Sequence, residues 1–143
     1  KRVPCLDRET KMGRVEKEGQ LNKFLSYMGK GKQGPLLITG GYGYRENGGE
    51  RGFLVPPTFF LTPPVDSPIV QDEIFGPVLV IQTFRTEDEA VELANCTKYG
   101  LCSGLWTTDL NRAMAVSRRL RSGNVWVNHY TGFAPECETG GYK

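Results

Sequence analysis

The sequence predicts an α/β domain in which strands and helices alternate around a largely parallel sheet. Three observations predict it: apolar runs of strand length recur, amphipathic stretches of helical period stand between them, and the connections are long enough for crossover helices. At 143 residues the chain has room for one ordinary domain with a hydrophobic core. No repeat, linker or shift in composition marks a boundary, so a single domain over 1–143 is expected.

In residues 17–30, Leu21, Phe24, Leu25 and Met28 recur at spacings of three and four, which puts them on one face of an amphipathic helix stopped by Gly29 and Gly31. Leu36-Leu37-Ile38-Thr39 reads as a buried strand. Phe53-Leu54-Val55 and Thr58-Phe59-Phe60 read as an extended segment interrupted by Pro56 and Pro57, because proline brings no N–H to a ladder. The polar, Gly-rich stretch between them reads as a loop. Ser67 before Pro68 offers a cap and first turn for a short helix through Val70, Gln71 and Asp72, closed by Gly76-Pro77.

Residues 78–84 are the strongest strand. Thr86-Glu87-Asp88-Glu89 has the spacing of a capping box, in which Thr86 and Glu89 satisfy each other's backbone donors at the start of a helix through Ala90, Val91 and Leu93. A strand over 101–106, a helix over 109–121 and, after Gly123, a strand over 124–128 complete the alternation.

Composition limits the function classes. Lys plus Arg number 18 against 16 Asp plus Glu, so no strong field favours nucleic acid or an anionic membrane. The longest apolar runs are strand-sized, far short of the ~20 residues that cross a bilayer. Cys5, Cys96, Cys102 and Cys137 are scattered without a C-x-x-C pair, which fits reduced thiols in a cytoplasmic protein and no metal site.

Thr39-Gly40-Gly41-Tyr42-Gly43 follows a strand as a dinucleotide fingerprint would, but the third glycine of that pattern falls at Glu46 and no apolar helical face follows. A plain turn is the expectation. His129, the sole histidine, and Cys137 form the only pair from which a Cys-His nucleophile is conceivable, and an inert thiol is the simpler reading. Arg118, Arg119 and Arg121 fall in the last turn of the 109–121 helix, where the negative end of its dipole accounts for them. Asp72 and Glu73, taken alone, read as solvated carboxylates.

Glu73-Ile74-Phe75-Gly76-Pro77-Val78 changes that reading, because it resembles the E-I-F-G-P segment of the NAD(P)-dependent aldehyde dehydrogenase superfamily. Leu6-Asp7 and Thr10-Lys11-Met12-Gly13, then Gly52-Phe53 with Pro57-Thr58, resemble family segments upstream. Downstream, Leu93-Ala94-Asn95, Tyr99-Gly100-Leu101, Trp106-Thr107, Asp109-Leu110, Ala113, Gly123, Val125-Trp126-Val127-Asn128 and Gly140-Gly141-Tyr142-Lys143 follow the family's order and spacing. The resemblance spans nearly the whole chain, as the later part of the family's catalytic domain.

The resemblance implies the family's chemistry: a cysteine thiolate attacks an aldehyde, hydride passes to the nicotinamide of NAD or NADP, and water hydrolyses the thioester to the acid. It implies that Glu73 binds the nicotinamide-ribose hydroxyls, since two carboxylate oxygens accept from both members of a diol. Phe75 and Leu101 are implied neighbours of the nicotinamide ring. Asn128 and Phe133 are implied on the substrate side, with Phe133 as an aromatic wall of the aldehyde channel. Thr139, where some members carry a second aromatic, makes a less aromatic pocket.

The chain departs from the family in three places. Neither the Gly-Gln-x context of the nucleophile nor the Glu-Leu-Gly-Gly context of the general base occurs, Arg14 replaces the usual proline after Met12-Gly13, and the family's dinucleotide-binding domain and subunit-joining tail are expected to lie outside these residues. The expectation is therefore part of an enzyme whose cysteine lies outside these residues, inactive by itself, from a cytoplasmic homodimer or homotetramer. The alternative is a catalytically inactive binding or scaffold module that keeps the fold.

Overall fold

A computed structural model of the protein describes residues 8–31, 36–47, 50–130, 132 and 134–143. They form two compact units, Lys1–Gln82 and Thr83–Lys143, with the division at a point where the sequence carries no linker-like composition.

The first unit opens with α1 (Glu18–Gly31), followed by β1 (Leu36–Thr39), β2 (Tyr44–Asn47), β3 (Glu50–Leu54), β4 (Thr58–Leu61), α2 (Pro68–Gln71) and β5 (Val78–Ile81). The apolar stripe predicted on α1 is its buried face. Leu21, Phe24 and Met28 join Val55, Phe60, Ile69 and Ile74 in one core, with Leu37, Phe53 and Val78 packed against it. Strand β4 lies at the centre of a three-stranded sheet, antiparallel to β1 and parallel to β5. The β4–β5 pair supplies one expected parallel crossover, with α2 in the connection.

Three details differ from the sequence reading. Residues read as a loop contain the antiparallel hairpin β2–β3, whose polar residues carry no alternating apolar signal. The α2 helix ends at Gln71, five residues before Gly76, with Asp72 already extended at its C-cap. Ser67 is the N-cap of α2 by backbone, but its hydroxyl makes no capping bond and is buried without a partner among the described residues.

Gly40 and Gly41 both have positive φ, 81° and 79°, as a tight turn requires. Wholly buried Thr58 holds that turn, accepting the Gly41 N–H at 3.0 Å and donating to the Pro56 carbonyl at 3.1 Å. A Cβ on Gly40 would sit 2.3 Å from the Thr58 hydroxyl oxygen. The Gly41 donor is thus engaged inside the fold, as a structural turn demands and a phosphate loop does not.

The second unit holds α3 (Glu87–Asn95), β6 (Cys102–Leu105), α4 (Leu110–Ser117) and β7 (Asn124–Val127), with β6 and β7 parallel and in register from Cys102 opposite Asn124 to Leu105 opposite Val127. Both helices are capped. Thr86 accepts the Glu89 N–H at 3.2 Å, and Asp109 accepts the Arg112 N–H at 3.1 Å. The expected reciprocal half of the capping box is displaced by one residue: the Glu89 carboxylate takes the Arg85 N–H at 2.7 Å, not that of Thr86.

Helix α4 stops at Ser117, so Arg118 is its C-cap and Arg119 and Arg121 lie beyond it. The Arg119 guanidinium instead reaches the first turn of α3, 3.3 Å from Glu87 and 2.5 Å from Asp88. Its charge is explained by that pairing and not, as the sequence reading had it, by the dipole of its own helix. Val91 and Ala113 are the buried apolar side chains of this unit among the described residues. No described helix is long and apolar enough to cross a membrane.

Candidate functional site

The segment 72–77 runs from the end of α2 to the start of β5 and is held by its backbone and by the side chains of Asp72 and Ile74. Ile74 is buried in the core, 7% exposed. On either side of it, α1 grips the loop: Lys23 Nζ donates to the Glu73 carbonyl at 2.7 Å and Gln20 Nε2 to the Phe75 carbonyl at 2.7 Å. Tyr27, one turn further along α1, donates its hydroxyl to Asp72 Oδ2 at 3.1 Å. Downstream, the Thr58 N–H donates to the Pro77 carbonyl at 2.8 Å, fixing the entry into β5.

With the backbone so held, the side chains flanking Ile74 turn outward. Glu73 is exposed, and Phe75 is 67% exposed with φ 61°. A left-handed conformation costs a non-glycine residue roughly 1–2 kcal/mol. The Gln20 bond and the burial of Ile74 hold Phe75 in it. A hollow of about 300 Å³ beside the loop is lined by Ile69, Glu73, Phe75, Gly76 and Val78. A carboxylate and an aromatic ring at the rim of such a hollow suit a sugar diol and a flat heterocycle. Sequence reasoning missed Gln20 and Lys23, which on the exposed side of an amphipathic helix read only as solvated polar residues.

Leu101 lies in the second unit, immediately before β6, and is 56% exposed; its carbonyl accepts the Asn124 N–H at 3.1 Å. Asn128 follows β7 with φ 55°. Its amide is paired at both ends with one backbone, accepting the Thr107 N–H and donating to the Thr107 carbonyl, each at 2.9 Å. Asn128 therefore clasps the ends of the parallel pair, and it borders an open cavity of about 560 Å³ with Trp106, Leu110 and Val127. Phe133 lies outside the described residues, as does Cys5. The segment leading to Phe133 is tied by Trp126, whose Nε1 donates to the Gly132 carbonyl at 2.8 Å and whose ring stands edge-on to Tyr130.

Cys96, Cys102 and Cys137 form no disulfide, and no cluster of metal-ligating side chains occurs among the described residues. Cys102 Sγ lies 3.5 Å from the Tyr130 hydroxyl, and this hydrogen bond pushes the Tyr130 phenol above its ordinary range. Thr139 is exposed, one residue before Gly140-Gly141.

Parallel strand pairs with helices in their connections define an α/β protein, and its first unit carries a pinned loop that presents a carboxylate and an aromatic ring. The chain belongs to the aldehyde dehydrogenase family, whose model matches residues 2–143. It is 45% identical over 139 residues to an aldehyde dehydrogenase of Deinococcus radiodurans, covering 96% of this chain and 27% of that protein. It is 41% identical over 138 residues to aldehyde dehydrogenase family 2 member C4 of Arabidopsis thaliana, again 96% of this chain and 27% of the relative. Among solved structures, an NAD-dependent aldehyde dehydrogenase from Sinorhizobium meliloti matches with TM-score 0.86 and 40% identity over 96% of this chain and 27% of that one. Betaine aldehyde dehydrogenase from Staphylococcus aureus in complex with NAD+ matches with TM-score 0.89 and 35% identity over the same shares. The chain thus spans about 27% of the length of these relatives.

Proposed function

We propose that this chain supplies the cofactor-positioning and substrate-channel part of an enzyme that oxidises an aldehyde to a carboxylic acid with NAD or NADP. The observation that carries the reading is the pinning of 72–77: its backbone is fixed by hydrogen bonds from α1 and from Thr58 while Glu73 and Phe75 face outward. Relatives that bind NAD+ share the fold over nearly all of this chain, which supports the same cofactor class here.

Glu73 accepts from the ribose hydroxyls and Phe75 limits the tilt of the ring. By the family resemblance, Leu101 is read as a neighbour of the nicotinamide ring. The cofactor, when bound, supplies the hydride acceptor. By the family resemblance, Phe133 is one wall of the aldehyde channel and Asn128 lies on the substrate side. The attacking cysteine lies outside these 143 residues: no cysteine here stands in a Gly-Gln-x context, and Cys96 and Cys102 occupy structural segments. The assembled protein is a homodimer or homotetramer on family grounds.

Glu73→Gln in the enzyme containing this chain tests the reading. A charge-assisted hydrogen bond contributes roughly 1.5–3 kcal/mol, and contacts to the rest of the cofactor lie elsewhere, so positioning suffers more than affinity. Turnover falls, and the isotope effect with an aldehyde deuterated at its carbonyl carbon rises as hydride transfer becomes rate-limiting. Unchanged turnover and isotope effect would return Glu73 to a solvated carboxylate.

A further inference from the structure

We infer that Lys143 is a positioning residue for the turn that carries Leu101, acting through the end of α3. The inference rests on the reading of Leu101 as a neighbour of the nicotinamide ring.

Helix α3 ends at Asn95 with no basic side chain in its last turn, although a helix C-terminus carries unpaired carbonyls and partial negative charge. The cation comes from far along the chain. Lys143 Nζ donates to the Thr97 carbonyl at 2.6 Å and to the Asn95 carbonyl at 3.3 Å, across 46 and 48 residues. The neighbouring backbone completes the grip: the Gly100 carbonyl accepts the Tyr142 N–H at 3.0 Å and the Gly123 N–H at 3.0 Å. Gly100 is buried, and a Cβ there would lie 2.6 Å from the Arg121 carbonyl oxygen and 2.9 Å from Lys143 Cε. The lysine stem therefore passes over Gly100 itself.

Asn95 secures the other side, donating to the Arg119 carbonyl at 2.9 Å and accepting the Arg121 N–H at 2.8 Å. Residues 96–100 are thus clamped between α3, the 119–123 segment and 142–143, and Leu101 is the first exposed side chain after the clamp. Tyr99-Gly100-Leu101, Gly123 and Gly140-Gly141-Tyr142-Lys143, dispersed in sequence, are one assembly. Removing the ammonium leaves two carbonyls without their donor and frees the turn on which Leu101 stands.

The test compares Lys143→Met, which keeps the stem and removes the charge, with Lys143→Arg, Leu101→Ala and the Lys143→Met/Leu101→Ala pair in the enzyme containing this chain. Lys143→Met lowers kcat roughly tenfold, the scale of a misplaced hydride donor, and raises the isotope effect while the aldehyde KM holds. Lys143→Arg restores the rate to within about twofold, since it keeps a donor and a charge. The pair is no slower than the slower single variant, because both act on one side chain's placement. Backbone amides of 97–101 exchange faster in Lys143→Met, and those of β4 and β5 do not. Leu101→Ala without effect on rate or isotope effect overturns the reading of Leu101. A slow Leu101→Ala beside an unaffected Lys143→Met, or additive losses in the pair, overturns the role of Lys143. Should Lys143→Met not fold, Lys143→Gln takes its place, and unchanged exchange at 97–101 overturns the inference.

Discussion

Thr58→Val tests whether the fold behind the site depends on one buried hydroxyl. Thr58 is 0% exposed, and its hydroxyl oxygen serves Gly41 and Pro56 at 3.0 and 3.1 Å. Valine keeps the shape and removes both bonds. Gly41 is itself buried and held at φ 79°, so its N–H has no easy route to water. A buried donor left without a partner costs about 1–3 kcal/mol. Thr58→Ser keeps the hydroxyl and removes one methyl, at about 0.8 kcal/mol. The expected order of stability is threonine, then serine, then valine, with serine and valine up to about 2 kcal/mol apart. Urea unfolding midpoints at constant slope measure the order. A valine variant as stable as threonine, or more stable than serine, would show that the hydroxyl only fills space and that the Gly40-Gly41 turn is held by something else.

Ile74→Ala removes the apolar anchor of 72–77 and should cost about 2–5 kcal/mol as a core truncation, with faster proteolytic cleavage inside 72–77 than elsewhere; cleavage at an unchanged rate would mean that the α1 hydrogen bonds suffice to hold the loop. Thr86→Ala removes the α3 cap and should lower stability by about 1 kcal/mol, and Thr86→Ser should recover most of it in the same unfolding assay. The 143-residue chain alone should produce no aldehyde-dependent reduction of NAD or NADP, followed by nicotinamide absorbance; measurable turnover would bring Cys137 back as a nucleophile.

Local periodicity and capping chemistry made much of the fold legible before any coordinates. The α1 face of Leu21, Phe24 and Met28 is buried as its spacing requires, and Thr86 caps the helix it precedes. The runs read as extended at 58–60, 78–84, 101–106 and 124–128 form strands at 58–61, 78–81, 102–105 and 124–127, and the parallel pairing expected from the long connections occurs between the first two and between the last two. Glu73, Phe75 and Leu101 became candidates through family resemblance, since a carboxylate beside an aromatic carries no period that separates a ligand site from a solvated surface.

What tertiary structure decided is which distant groups meet. The β2–β3 hairpin hid in polar, glycine-rich sequence because its strands have no alternating apolar face. Arg119 reads as a helix-end cation until the chain returns it to Glu87 and Asp88, about thirty residues earlier. Gln20 and Lys23 look like any solvated residues of α1, yet they hold carbonyls 55 and 50 residues away. The acceptors in these last two contacts are backbone carbonyls, which every residue possesses. A side chain's pattern along the sequence records its own local period and carries no mark of which distant carbonyl folding will bring beneath it.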